Sequence, residues 1–222
     1  MPRPVEMSKI KGRCQRRADL ENDDHIDHEE WLELIDEAVG ELYSIVADTG
    51  TRYFERVATL VTDGTNAIDE PASVMSTIGL WYVASSGKKT RLVPIMPHER
   101  EQWAGREGSH ATRYELVDGY LYLYPTPPAD QTYELQYLPQ PPDVSGYASD
   151  QCVDVVIPEG LSFLVWAVVV KAKSKSEKDV RLATIERDRA AAKVQEWATF
   201  RALTEAPRKT VTAVDRVCEV AE

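Results

Sequence analysis

Apolar residues in the first fifth of the chain fall at three- and four-residue steps. Met7, Ile10, Cys14 and Ala18 make a narrow stripe, which predicts a short helix whose other faces are basic. Asp27 followed by Glu30 three residues on resembles a capping box and sets the next helix start. Trp31, Ile35, Ala38, Leu42 and Ile45, widened by Leu32, Val39, Tyr43 and Val46, mark one face of a helix running to about Ala47. Glu33, Asp36, Glu37 and Glu41 fall largely on its solvent side.

Beyond Asp48-Thr49-Gly50 the period changes. Tyr53 to Thr62 is β-branched and aromatic and stops at Asp63-Gly64, so it reads as a strand. Ile78 to Val83 and Thr90 to Ile95 read as two more, joined across Ser85-Ser86-Gly87-Lys88, with a short helical excursion over Pro97 to Trp103. Asp118-Gly119 predicts a two-residue hairpin turn, because both residues tolerate positive φ. Counting outward pairs Val117 with Tyr120, Leu116 with Leu121, Glu115 with Tyr122 and Tyr114 with Leu123. Tyr114, Leu116, Leu121 and Leu123 then face the core. Arg113 and Glu115 lie with Tyr120, Tyr122 and Tyr124 on a half-wet face. Pro125, Pro127 and Pro128 end the strand, and Tyr133 to Tyr137 alternates again.

After the proline-rich connector Pro139 to Gly146 the helical period returns. Pro158 suits a first turn, and Leu161, Leu164, Val165, Val168 and Val169, with Phe163, Trp166 and Val170, make a helix apolar nearly all round. Such a helix belongs at the centre of a bundle, with Trp31, Leu164 and Trp166 buried there. Ser176 with Asp179 predicts the cap of a last helix to about Leu203, burying Val180, Ala183, Ala191, Val194 and Ala198. Segregated runs of this kind point to an α+β fold. The expected layout is a helical bundle from residues 1–52 and 155–205, an inserted antiparallel β region over 53–154, and an extended arm over 206–222. In the arm, Val211, Val214, Val217 and Val220 follow Pro207 and Arg208 at a spacing that suits neither a helix face nor a strand. These six residues are the candidate partner-binding set.

Composition narrows the function classes. With 43% hydrophobic residues among 222, the chain can bury a core, and 37 acidic against 26 basic side chains give a net charge of −11. That charge repels phosphate backbones. The one dense basic cluster is Lys9, Lys11, Arg13, Arg16 and Arg17, followed by Glu21, Asp23 and Asp24. Cys14, Cys152 and Cys218 are too scattered for a zinc site or a disulfide framework, and fit a reducing compartment. The first residues lack the apolar stretch of a signal peptide, and Leu161 to Val170 is about half of the ~20 residues that span a bilayer. A soluble, cytosolically made protein with no membrane association is expected.

No dinucleotide fingerprint, nucleophile elbow or zincin motif occurs. Ser86-Gly87-Lys88-Lys89-Thr90 echoes a phosphate loop, but Tyr82 stands where its first glycine belongs, so a hairpin turn is the better reading. Asp23, Asp24, His25, Asp27, His28 and Glu29 combine side chains that bind divalent metals, the basis of an alternative reading as a metal-dependent hydrolase or nuclease using Asp23 to Glu30. Acidic residues at a helix start are equally what the helix dipole favours. His98 and His110 stand alone in polar loops. The stripe Tyr120, Tyr122, Tyr124 can stack bases, but packing under a loop or a neighbouring subunit explains it better beside so acidic a surface. No catalytic residue, cofactor or metal is assigned.

Several segments, in their order, resemble the tailed-phage head-to-tail adaptor (connector, or head-completion) proteins. They are Arg16-Arg17-Ala18-Asp19-Leu20-Glu21-Asn22 before an acidic helix start, Glu41-Leu42-Tyr43, and Tyr53-Phe54. Gly119 through Pro127, a hydrophobic then a charged helix, and the tail from Pro207 to Val214 follow. The resemblance implies a non-catalytic structural subunit of the virion neck, assembled in the host cytoplasm. It implies a closed ring, commonly of twelve subunits, beneath the portal protein and above a downstream tail or nozzle protein. DNA would pass through the channel without specific binding.

Overall fold

The computed structural model describes residues 3–21 and 26–205. In chain order the elements are β1 (Pro4–Glu6), α1 (Met7–Ala18), α2 (His28–Ala47), β2 (Arg56–Val61), β3 (Ala67–Asp69), β4 (Val74–Val83), β5 (Lys89–Arg91) and β6 (Val93–Pro94). A 3-10 turn (Pro97–Glu99) leads into the one-turn α3 (Arg100–Trp103). Then come β7 (Arg113–Val117), β8 (Tyr120–Tyr124), β9 (Thr132–Pro139), β10 (Cys152–Asp154), α4 (Pro158–Lys175) and α5 (Arg181–Thr204). The fold is mixed α+β. It divides into a largely helical unit, formed by residues up to Tyr53 and from Pro141 on, and a β unit over Phe54–Gln140.

In the helical unit α4 is the centre: α1, α2 and α5 all pack on it. Its mixed apolar surface is why, since Phe163, Leu164, Val165, Ala167, Val168 and Val169 are all buried and point in every direction. Pro158 occupies the first turn, where a missing N–H costs nothing. Gly160 is fixed by space, because a Cβ there would lie 2.0 Å from the Val155 carbonyl oxygen. The α1 stripe Met7, Ile10, Cys14 and Ala18 is buried as the spacing requires, and so are Trp31 and Leu164. Trp166 is a correction. It is only half-buried, with the Arg17 guanidinium 4.6 Å above its ring, because on a helix surrounded by just three others one side remains at the rim. Ser176 does not open α5 either. Its hydroxyl donates to the Ala172 carbonyl at 3.0 Å and closes α4, while the Asp179 carboxylate receives the Arg181 N–H at 2.9 Å. A two-stranded sheet of β1 and β10 completes this unit. Cys14 is a free, buried thiol.

The β unit holds two four-stranded sheets, ordered β2-β9-β4-β5 and β3-β8-β7-β6. Leu80, Leu92, Tyr114, Leu121, Leu123, Tyr133 and Leu135 form its core. The β7–β8 hairpin has the register counted from Asp118-Gly119, residue for residue, and both turn residues have positive φ, 52° and 80°. Two expectations change. Thr90 to Ile95 is not one strand: β5 pairs with β4 in the first sheet and β6 with β7 in the second. Leu92, buried between them, carries the chain across, its N–H donating to the Leu80 carbonyl at 2.8 Å. Nor is the region wholly antiparallel, because β6 and β7 run parallel.

Candidate partner-binding surface

The last turn of α5 combines an anchored backbone with exposed apolar side chains. Glu205 ends the helix. Its carboxylate accepts from Arg201 Nε at 2.5 Å, from the Arg52 N–H at 2.7 Å and from the Thr51 hydroxyl at 3.2 Å. Burial pushes this carboxyl up, but the hydrogen bonds and the Arg201 charge outweigh it and hold the group below the usual range. The Arg201 guanidinium lies 4.8 Å from the Tyr53 ring and 5.4 Å from that of Trp197. Tyr53 in turn donates to Asp154 Oδ2 at 2.9 Å, and Asp154 Oδ1 receives the Arg3 and Val156 N–H groups. The chain therefore leaves α5 from a fixed point.

On the outer side of the same turns the chemistry is different. Phe200 and Leu203 are 67% and 82% exposed, and with Ala192, Gln195, Glu196 and Thr199 they line a shallow hollow. Leu182 and Ile185 continue the exposed apolar face toward the start of the helix. Side chains of this size are rarely left in water together unless something packs on them. The 3.6-residue period was visible in α5, but which of its apolar residues stay uncovered depends on where α4 and α2 lie.

The six arm residues proposed from sequence, Pro207, Arg208, Val211, Val214, Val217 and Val220, lie outside the described residues, as do Asp23, Asp24 and His25 of the acidic cluster. The rest of that cluster is otherwise engaged. Asp27 caps α2 by accepting the Glu30 N–H at 2.8 Å, Glu30 pairs with Lys175, and Lys11 Nζ donates to His28 Nδ1. Among the described residues no group of three or more His, Cys, Asp or Glu is placed to hold a metal. His98 is exposed, on the 3-10 turn and not in a loop. His110 is a correction: it stacks on Tyr82 with ring centroids 4.7 Å apart and the planes 14° from parallel.

The tyrosine face of β8 is covered by the excursion at Pro97–Trp103. Arg100 binds Glu115 through two N–H groups, Arg113 pairs with Glu99 at 3.2 Å, and Trp103 sits 5.1 Å from the Arg113 guanidinium. Tyr124 is buried beside this cluster, and only Tyr120 remains exposed. The stripe packs; it is not an open stacking platform.

These surfaces offer other macromolecules something to pack against, the equipment of a structural interaction protein. A family model described as SU10 adaptor protein matches residues 7–217, and the chain belongs to that family. It is a phage adaptor, a structural protein of the virion, located at the neck and associated with portal and tail proteins. No curated protein matches it. Among the described residues no helix is long and apolar enough to cross a membrane.

Proposed function

We propose that the protein forms a closed ring, of twelve copies, beneath the portal, joins it to the downstream tail or nozzle protein, and lines the channel through which DNA passes. The carrying observation is the end of α5, where a pinned Glu205 stands beside the uncovered Phe200 and Leu203. A fixed root with an apolar apron is what a docking arm needs, since residues 206–222 then leave toward a partner from a constant position. In this reading the helices form a bundle that builds the ring wall, the β unit is an insertion, and Pro207, Arg208, Val211, Val214, Val217 and Val220 seat the arm on the portal or on an adjacent subunit. The acidic balance of the chain, −11, favours DNA sliding past without specific binding. The protein works without catalysis, metal or cofactor, and assembles in the host cytoplasm.

The test is electron microscopy of the chain with its portal, together with co-sedimentation of a chain ending at residue 206. Rings coaxial with the portal, and a truncated chain that keeps its melting temperature but binds the portal at least ~tenfold more weakly, are expected. Unchanged portal binding by the truncated chain overturns the arm, and particles lacking a ring at the neck overturn the adaptor ring.

A further inference from the structure

α1 carries five cations, Lys9, Lys11, Arg13, Arg16 and Arg17, and no acid. α2 carries six acids, Glu29, Glu30, Glu33, Asp36, Glu37 and Glu41, and no lysine or arginine. Most of these charges are used within the chain. Lys9 pairs with Glu6, Lys11 with His28, and Arg17 covers Trp166. Glu30 pairs with Lys175, Glu37 and Glu41 share Lys171, and Asp36 accepts the Val144 N–H. Arg13 and Arg16 on α1, and Glu29 and Glu33 on α2, are left exposed with no ion pair among the described residues.

They do not serve one another inside the chain. Lys11 and Gln15 line a hollow with His28 and Leu32 of α2. At about 100° per residue, Arg13 leaves α1 from the side away from that hollow, while the exposed Arg16 guanidinium lies beside Gly12 at its edge. Glu29 and Glu33 are like charges one turn apart, an arrangement that costs stability until a cation reaches it.

We infer that the Arg13–Arg16 face of α1 docks on the Glu29–Glu33 face of α2 in an adjacent copy. The inference rests on the ring reading above and supplies its contact. The two faces are opposite in sign and equal in number of charges, and they are different surfaces of one chain, so the contact is heterologous. A pair of copies joined this way still presents one free basic face and one free acidic face, and further copies add until the ring closes. Nucleic acid is the poorer occupant for the basic face, because it must approach a chain of net charge −11 that carries its own acidic counterpart. The charges set register and partner choice more than strength, since exposed pairs are individually weak.

Sedimentation of the full chain tests this with two charge swaps, Arg13→Glu with Arg16→Glu, and Glu29→Arg with Glu33→Arg. Wild type is expected to self-associate in low salt and to dissociate as salt rises. Each swapped chain alone should associate at least ~tenfold more weakly, because like faces then meet. An equimolar mixture of the two should recover association, since the acidic α1 of one meets the basic α2 of the other and the converse contact is native in sign. Circular dichroism checks that each variant folds. If one does not, the milder Arg13→Gln with Arg16→Gln and Glu29→Gln with Glu33→Gln replace the swaps, and each should weaken association and flatten its salt dependence. Association untouched by either pair overturns this contact while leaving the ring. Loss without recovery on mixing of folded swaps overturns the direct pairing. A wild type monomeric up to ~100 μM in low salt removes the self-assembling ring and this contact together.

Discussion

Arg100 holds Glu115 with two N–H groups, Nε to one carboxylate oxygen at 2.9 Å and Nη2 to the other at 2.6 Å. The carboxylate is 9% exposed, and together with Arg113–Glu99 this pair ties the Pro97–Trp103 excursion to β7 over the tyrosine face of the hairpin.

Removing one partner should therefore hurt more than removing both. Arg100→Ala leaves a buried, uncompensated carboxylate and should lower the melting temperature of the β unit. Arg100→Met with Glu115→Leu replaces the pair by apolar groups of similar size and should recover most of that loss. A double variant no more stable than Arg100→Ala, measured by thermal unfolding, would show that the pair is peripheral.

The two tryptophans of the helical unit should respond differently. Trp31 is 1% exposed, and Trp31→Ala should cost ~3 to 5 kcal/mol, as large core truncations do. Trp166, half-buried under Arg17, should cost roughly 1 to 2 kcal/mol when cut to alanine, since less area is removed from contact. Urea unfolding of both variants checks the order, and equal costs would refute the placement.

Glu205 makes the attachment of α5 pH-dependent. Its folded pKa lies below the ordinary value of 4.5, so the stabilisation is present above that value and is lost as pH falls through the lower, folded pKa. Between about pH 6 and pH 3 the wild type should lose more thermal stability than Glu205→Gln, which has no such carboxylate to protonate. Parallel curves for the two proteins would remove Glu205 from the anchoring role.

Cys14 should be inert in the folded chain. It is fully buried against α4, and burial pushes its thiol up to about 12, so almost no thiolate exists near neutral pH. A thiol reagent should label it only after denaturation. Rapid labelling of Cys14 under native conditions, located by peptide mapping, would mean that α1 detaches readily.

Much of this protein follows from local rules acting on the sequence alone. The stripe Met7, Ile10, Cys14, Ala18 makes α1, Asp27 caps α2, and Pro158 opens α4, because side-chain period, cap and proline geometry involve only a few neighbouring residues. Asp118-Gly119 likewise determines the whole register of β7 and β8, since turn type dictates which residues face each other. What lay beyond the sequence depends on partners distant along the chain. The split of residues 89–94 between two sheets turns on Leu92, which is buried in one core with Leu80 and gives its N–H to the Leu80 carbonyl. The rim position of Trp166 and the uncovered Phe200 and Leu203 depend on how many helices surround α4 and α5. The grip on Glu205 joins it to Thr51 and Arg52, 154 and 153 positions away in sequence. Period and capping are short-range, whereas burial and ion pairing are settled only when remote surfaces meet, and that is where the tertiary structure decided.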